Sequence, residues 1–218
     1  MSQQKHKARL PIGQFYLASS SATRQSLLAS ADIDFHVIKA PIDEEMIRQS
    51  AQHEDMAFDD IAVLLAHMKA EAALRQHPIA DDDMILGCDQ LLVCGDHIIN
   101  KPTSIEAAQK QLSFLQGKEH SLLTAAVLFK GGKRIWHHLD KPRLHMRKLD
   151  EAEIKRYLNQ IGDAAFWSPG SYQIEGPGLH LFSDIRGDYQ AILGLPMLPL
   201  LGILRAHGLS FQPKASQI

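Results

Sequence analysis

Residues 17–28, LASSSATRQSLL, decide how the rest of the chain is read. The apolar run Phe15–Ala18 leads into Ser19, Ser20 and Ser21, and these are followed by Thr23, Arg24 and a segment that sets Leu27, Leu28 and Ala31 at helical spacing. The pattern predicts a strand, a phosphate-sized loop and a helix capped by Ser21. A helix start of this kind turns unpaired N–H groups and the positive end of its dipole toward the loop, where serine hydroxyls and the planar fork of Arg24 add donors suited to phosphate oxygens. Taken alone, these residues fit a plainer reading better, a serine-capped helix with a solvated arginine.

The 218 residues suffice for one large domain or two small lobes, and 45% hydrophobic with 22% charged residues is ordinary for a globular protein. A formal net charge of -2 argues against a broad nucleic-acid-binding face, which needs an excess of Lys and Arg. Cys88 and Cys94 lack a CxxC spacing or a histidine set at zinc-site intervals, so they are expected to be free, buried thiols. No apolar run is long enough to cross a bilayer and the N-terminus lacks the apolar core of a secretory signal, so the expected location is the cytoplasm, away from membranes. Residues 1–12 and 210–218 are expected to be loose tails around a single domain over 13–209.

Along the chain, 34–38 suits a short strand, and Asp43, Glu44 and Glu45 mark a solvated loop or a helix start. From about 56 to 75, Ile61, Leu64, Leu65, Met68 and Ala72 share one helical face, with Lys69 at its border, placed to snorkel or to reach into a cleft. Met84–Cys94 is nearly continuous in apolar residues, as in a strand covered on both faces. Asp89 and Gln90 interrupt it, and a carboxylate there is costly unless paired, bound to metal or set at a cleft. Gly95-Asp96 predicts a turn to a hairpin partner at 97–99, and Lys101-Pro102 ends it. Thr103 and Glu106 resemble a capping box for a helix that stops at Gly117. Strands are expected at 120–129, 134–139 and 144–148, with a helix from Asp150. The stretch 166–189 is expected to be a long irregular loop, and a last amphipathic helix carries Met197, Leu200, Leu201 and Leu204. The 12 histidines form no ligand set. The mixture predicts an α/β or α+β fold around a large mixed sheet.

Together, cations with backbone donors can bind a polyphosphate, while carboxylates can hold a divalent metal and deprotonate water. The ordered motifs are SxSxxR at Ser19 to Arg24, IDE at Ile42 to Glu44, LAxxKA around Lys69, Asp89-Gln90, Lys101-Pro102, GxxH at Gly117 to His120 with Thr124, then GDY and GLP. Over roughly residues 15–206 this series resembles the Maf family of nucleotide pyrophosphatases. The resemblance implies an elongated mixed sheet with flanking helices, two lobes around a cleft, similar to the inosine-triphosphate pyrophosphatases and often assembled as a homodimer. It implies cleavage of a nucleoside triphosphate between the α and β phosphates with a divalent cation, magnesium, manganese or cobalt. By position, the resemblance makes Asp89 the general base and a metal ligand, Glu44 a catalytic ligand of metal or water, and Ser19, Ser21, Arg24, Lys69 and Lys101 the phosphate site.

The late loop departs from the dTTP/UTP-type pattern DKAGAYGIQG, with Ser168 in place of the lysine and Glu175 in place of the glutamine. Asp89-Gln90 and Glu175 are closer to the 7-methyl-GTP type, whose loop resembles CAGxFxxEG, although Trp167, Pro169 and Tyr172 match neither branch. Gln90 and Glu175 are therefore the candidate base readers, and a guanine-type or modified purine is the expected base. A competing reading makes the chain a nucleotide-binding regulator of division or septum formation with little turnover; cleavage of a nucleotide panel separates the two.

Overall fold

The computed structural model describes residues 13–77 and 79–210, so the expected tails, Ser210 apart, lie outside the described residues. Eight strands, β1 (Phe15–Ala18), β2 (His36–Val37), β3 (Met84–Cys94), β4 (His97–Ile99), β5 (Glu119–Lys130), β6 (Lys133–Asp140), β7 (Arg143–Met146) and β8 (Phe182–Arg186), form one sheet. The order is β2-β1-β3-β5-β7-β8, with β4 on β3 and β6 on β5. The sheet is mixed, because β1 runs parallel to β2 and β3 while β4, β7 and β8 pair antiparallel. The helices are α1 (Ala22–Ser30), α2 (Glu44–His53), α3 (Phe58–Gln76), α4 (Ile105–Leu115), α5 (Glu151–Ile161), α6 (Tyr189–Ile192) and α7 (Met197–Ala206). This is the α/β class that the alternation of periodicities predicts.

The chain divides into two compact units. The first takes in the described residues up to Asp89, Thr124–Leu139 and those from Leu193 onward. Its core gathers Leu17 from β1, Leu28 from α1, Leu86 from β3, Leu128 from β5, and Met197, Leu200 and Leu204 from α7. Each such buried aliphatic side chain contributes about 1.5–3 kcal/mol relative to exposure. In α3 the buried face is largely alanine, with Ala62, Ala66, Ala70 and Ala73 beside Ile61 and Leu65, whereas Leu64 and Met68 are only half-buried. Small residues on that face let the helix lie close to β3. A Cβ on Gly87 would fall within 2.1 Å of the Ala66 carbonyl oxygen, so only glycine tolerates the approach.

The second unit comprises Gln90–Leu123 and Asp140–Ile192. Here α4 packs on α5, with Leu112, Leu115, Ile154, Tyr157 and Leu158 buried. Asp150 caps α5 through a full capping box with Glu153, at 2.7 and 2.8 Å. In α4 the cap is Ser104, which accepts from the Ala107 amide at 3.1 Å, not Thr103 as the Thr-Ser-Ile-Glu pattern predicts. Either hydroxyl has cap chemistry, and the extended backbone of Ser104 decides between them.

Three further expectations are corrected. The second strand shortens to His36–Val37, both exposed, and the strand expected at 144–148 is Arg143–Met146. The stretch 166–189 is not one irregular loop. It follows a 3-10 turn at Gly162–Phe166 and is built from two more at Pro169–Ser171 and Pro177–Leu181, and then from β8 and the start of α6. Strand β8 was hidden because its burial does not alternate: Phe182 is buried, but Ser183, Asp184 and Arg186 are exposed.

Candidate active site

The parallel register of β1 and β3 pairs Ala18 with Gly87, which brings the serine loop alongside Cys88 and Asp89. Ser21 caps α1, its hydroxyl accepting from the Arg24 amide at 3.4 Å, while the Ser21 amide donates to Ser19 Oγ at 3.3 Å. Arg24 is not solvated. It is buried, and its guanidinium donates from Nε to the Gly194 carbonyl at 2.8 Å and from Nη1 to Ser19 Oγ and the Cys88 carbonyl, both at 3.1 Å. One rigid fork thus fixes the loop after β1, the residue before Asp89 and the turn before α7 in a single arrangement. Gly194 stands at φ +106, where a Cβ would lie 3.3 Å from Arg24 Nε.

A second constellation lies in the same unit. Lys69, on the face of α3 pressed to β3, extends its ammonium 2.6 Å from Asp89 Oδ1 and 2.8 Å from Glu44 Oε1. Asp89 is buried, with a side chain 6% exposed, so its charge requires this partner. Glu44 opens α2 in a helix capped by Asp43, whose carboxylate accepts from the Met46 amide at 2.9 Å. Its side chain is 49% exposed, so one carboxylate of the trio is held in the protein and the other faces solvent. Cys88 points into the core of the same unit, and burial pushes its thiol up to about 11 although Arg24 and Lys69 act to lower it. Neither cysteine forms a disulfide.

Of the expected site residues, Ser19, Ser21 and Arg24 are joined by hydrogen bonds, and Glu44, Lys69 and Asp89 by ion pairs. Lys101, Gln90 and Glu175 belong to the second unit. Lys101 is exposed after β4. Gln90 directs its amide nitrogen to the carbonyls of Ala191 and Ile192, at 3.0 and 3.1 Å, and so ties the end of α6 to β3. Glu175 is exposed in a turn closed by the Gly176 amide on the Gln173 carbonyl at 3.1 Å. Burial, and after it the charge of Glu175, raises the pKa of Tyr189, which is 48% exposed.

The turn carrying Glu175 is fastened by residues that sequence reasoning did not single out for this purpose. His120 Nε2 and the Tyr172 hydroxyl meet at 3.0 Å inside the unit, and the Tyr172 ring stands edge-on to Phe182 with centroids 4.9 Å apart. Burial, with His145 nearby, holds His120 down to about 4, so it is neutral. The Gly170 amide donates to Gln111 Oε1 at 3.0 Å, and the Gln173 amide to the Tyr157 hydroxyl at 3.1 Å. The GxxH motif was the available signal for His120; Tyr172, 52 positions away, had none.

A loop of hydroxyls around a clamped arginine stands in the same unit as a lysine-bridged carboxylate pair, Asp89 within β3 and Glu44 at the start of α2, residue types that phosphate and cation chemistry draw on. The profile of the family described as Maf-like protein matches residues 14–207, and the chain belongs to that family. It is 46% identical over 191 residues, 88% of this chain and 95% of the relative, to a nucleoside triphosphate pyrophosphatase of Granulibacter bethesdensis. It is 43% identical over 189 residues, 87% of this chain and 94% of the relative, to a 7-methyl-GTP pyrophosphatase of Brucella abortus. A 7-methyl-GTP pyrophosphatase of Mesorhizobium japonicum is 41% identical over 192 residues, 88% of this chain and 95% of the relative. Among the described residues no helix is long and apolar enough to cross a membrane.

Proposed function

We propose that this chain is a nucleoside triphosphate pyrophosphatase, converting a nucleoside triphosphate and water to a nucleoside monophosphate and pyrophosphate. The observation that carries the reading is the buried Asp89, paired with Lys69 in the unit that also holds the Ser19–Arg24 loop. Asp89 accepts a proton from the water that attacks the α-phosphorus. The bond from that phosphorus to the α,β-bridging oxygen breaks, and pyrophosphate leaves. Ser19, Ser21, Arg24, Lys69 and Lys101 hold the phosphate oxygens, whose charge grows on the departing side.

Glu44 and Asp89 are the residues to hold a divalent cation, magnesium, manganese or cobalt. The donor set fits such an ion. Among the described residues no three His, Cys, Asp or Glu side chains converge on one point, but Lys69 brings together two hard carboxylates, Asp89 and Glu44, the donor type that a divalent cation of this kind would take. Such a cation supplies charge neutralisation for the phosphates and acidifies water bound to it.

In this reading Glu175 selects the base, accepting hydrogen bonds from a guanine edge or facing the positive ring of a 7-methylated purine. Gln90 is assigned to base recognition with it, through its hold on the end of α6. The names of the Brucella and Mesorhizobium relatives support a 7-methyl-GTP-like substrate. A cytoplasmic homodimer without nucleic-acid or membrane partners completes the proposal.

A panel of canonical and methylated nucleoside triphosphates with each metal tests it. Pyrophosphate should be released, fastest from a guanine-type nucleotide. Release of orthophosphate alone would place the cleavage elsewhere, and binding without cleavage of any nucleotide would favour a regulator.

A further inference from the structure

The Lys69 ammonium lies 2.6 Å from one Asp89 oxygen and 2.8 Å from one Glu44 oxygen, the two carboxylates assigned above to the divalent cation. An ammonium in contact with both stands where a cation bridging them would stand, and with the same sign of charge. Two cations cannot share these oxygens without strong repulsion at such separations. We propose that Lys69 is a placeholder for the metal: it neutralises Asp89 and Glu44 in the free protein, and the cation gains the carboxylates only when a triphosphate arrives to take the ammonium. This rests on the metal reading above and adds an order of events to it.

The surroundings suit an exchange made by one side chain. The backbone of α3 is fixed against β3 by the Gly87–Ala66 approach, so the helix has no room to follow the ammonium. The lysine has a flexible aliphatic stem and a compact charge, and its head can leave one set of oxygens for another while the stem keeps its packing. Glu44 is half exposed, so a cation can approach its carboxylate from solvent. The hydroxyl loop is tied to the residue before Asp89 through Arg24, so phosphate oxygens bound there would be new acceptors for the ammonium in the same unit. Metal and nucleotide then enter as one complex, and the metal alone binds poorly because Lys69 occupies its place.

The test reads metal binding directly. Free Mn2+ is titrated into the nucleotide-free protein and followed by its electron paramagnetic resonance signal, for the wild type, Lys69→Met and Lys69→Gln. Both variants remove the charge, so if one fails to fold the other serves. Each folded variant should bind Mn2+ at least tenfold more tightly than the wild type, and adding Glu44→Gln to it should abolish the gain. Equal or weaker binding in a folded variant overturns the proposal. The unaltered protein gives an independent reading through the Lys69 ε-methylene resonance. That signal should stay in place with Mg2+ alone and shift when Mg2+ is joined by an α,β-methylene triphosphate analogue; an equal shift with Mg2+ alone overturns the proposal. Pyrophosphate release that continues undiminished in excess chelator would instead remove the metal reading itself.

Discussion

Arg24 donates from Nε to the carbonyl of Gly194 at 2.8 Å, a bond between the first helix and the turn before the last, 170 positions apart. It makes the geometry of the hydroxyl loop depend on a residue with no side chain. Gly194→Ala at φ +106 should cost about 1–3 kcal/mol in backbone strain and crowd the guanidinium, lowering the urea midpoint and raising KM for the nucleotide. Arg24→Lys should weaken binding comparably, because an ammonium cannot reproduce the fork that spans Gly194, Cys88 and Ser19. An unchanged KM in both variants would remove the loop from the phosphate site.

Asp89→Asn keeps the shape and loses the base. Turnover should fall by roughly 100-fold or more, the scale of a lost general base. Binding of a non-hydrolysable triphosphate, followed by calorimetry, should survive. A rate within a few-fold of wild type would sink the assignment.

His120 gives the protein a pH dependence whose sign is fixed. Its folded-state pKa is pushed down to about 4 from 6.5, so the unfolded chain takes up the proton first as pH falls. The stability it contributes is complete above about pH 6.5 and is lost as pH drops from there toward about 4, a change on the order of 3 kcal/mol at most. Thermal melts of wild type and His120→Leu between pH 7 and pH 4.5 should show a shallower decline in the variant. Parallel curves would mean that the imidazole is not buried neutral.

Tyr172→Phe leaves His120 Nε2 unpartnered inside the unit, where Nδ1 already has no hydrogen-bond partner among the described residues. A buried polar atom stranded in this way costs about 1–3 kcal/mol. Because the same residue anchors the turn bearing Glu175, selectivity among bases should also decline. Glu175→Gln isolates the charge: kcat/KM for 7-methyl-GTP should fall by roughly 10–100-fold, matching the about 1.5–3 kcal/mol of a hydrogen bond to a charged group. Pyrophosphate release from other nucleotides should change little. An unaltered preference would move base selection away from this turn.

The sequence exposed those parts of the fold whose side chains carry a period. The strand Met84–Cys94, the Ser21 cap and the buried face of α5 at Ile154, Tyr157 and Leu158 all appear where residue spacing puts them. The ordering of the motifs grouped Lys69 with Asp89, but their direct pairing depends on how closely α3 approaches Gly87, which spacing along the chain does not encode. The buried role of Arg24 was equally illegible. Two of its partners are backbone carbonyls, at Cys88 and Gly194, and any residue type supplies a carbonyl. Glycine and proline clusters in 166–189 signalled irregularity correctly at the turns but masked β8, since most of that strand faces solvent.

Both thiols lie on one strand, Cys88 in the first unit and Cys94 in the second, and burial raises the pKa of each. Folded protein should therefore resist alkylation and peroxide. Whatever labelling does occur becomes a clock for the opening of that strand, with each sulfur timing its own unit.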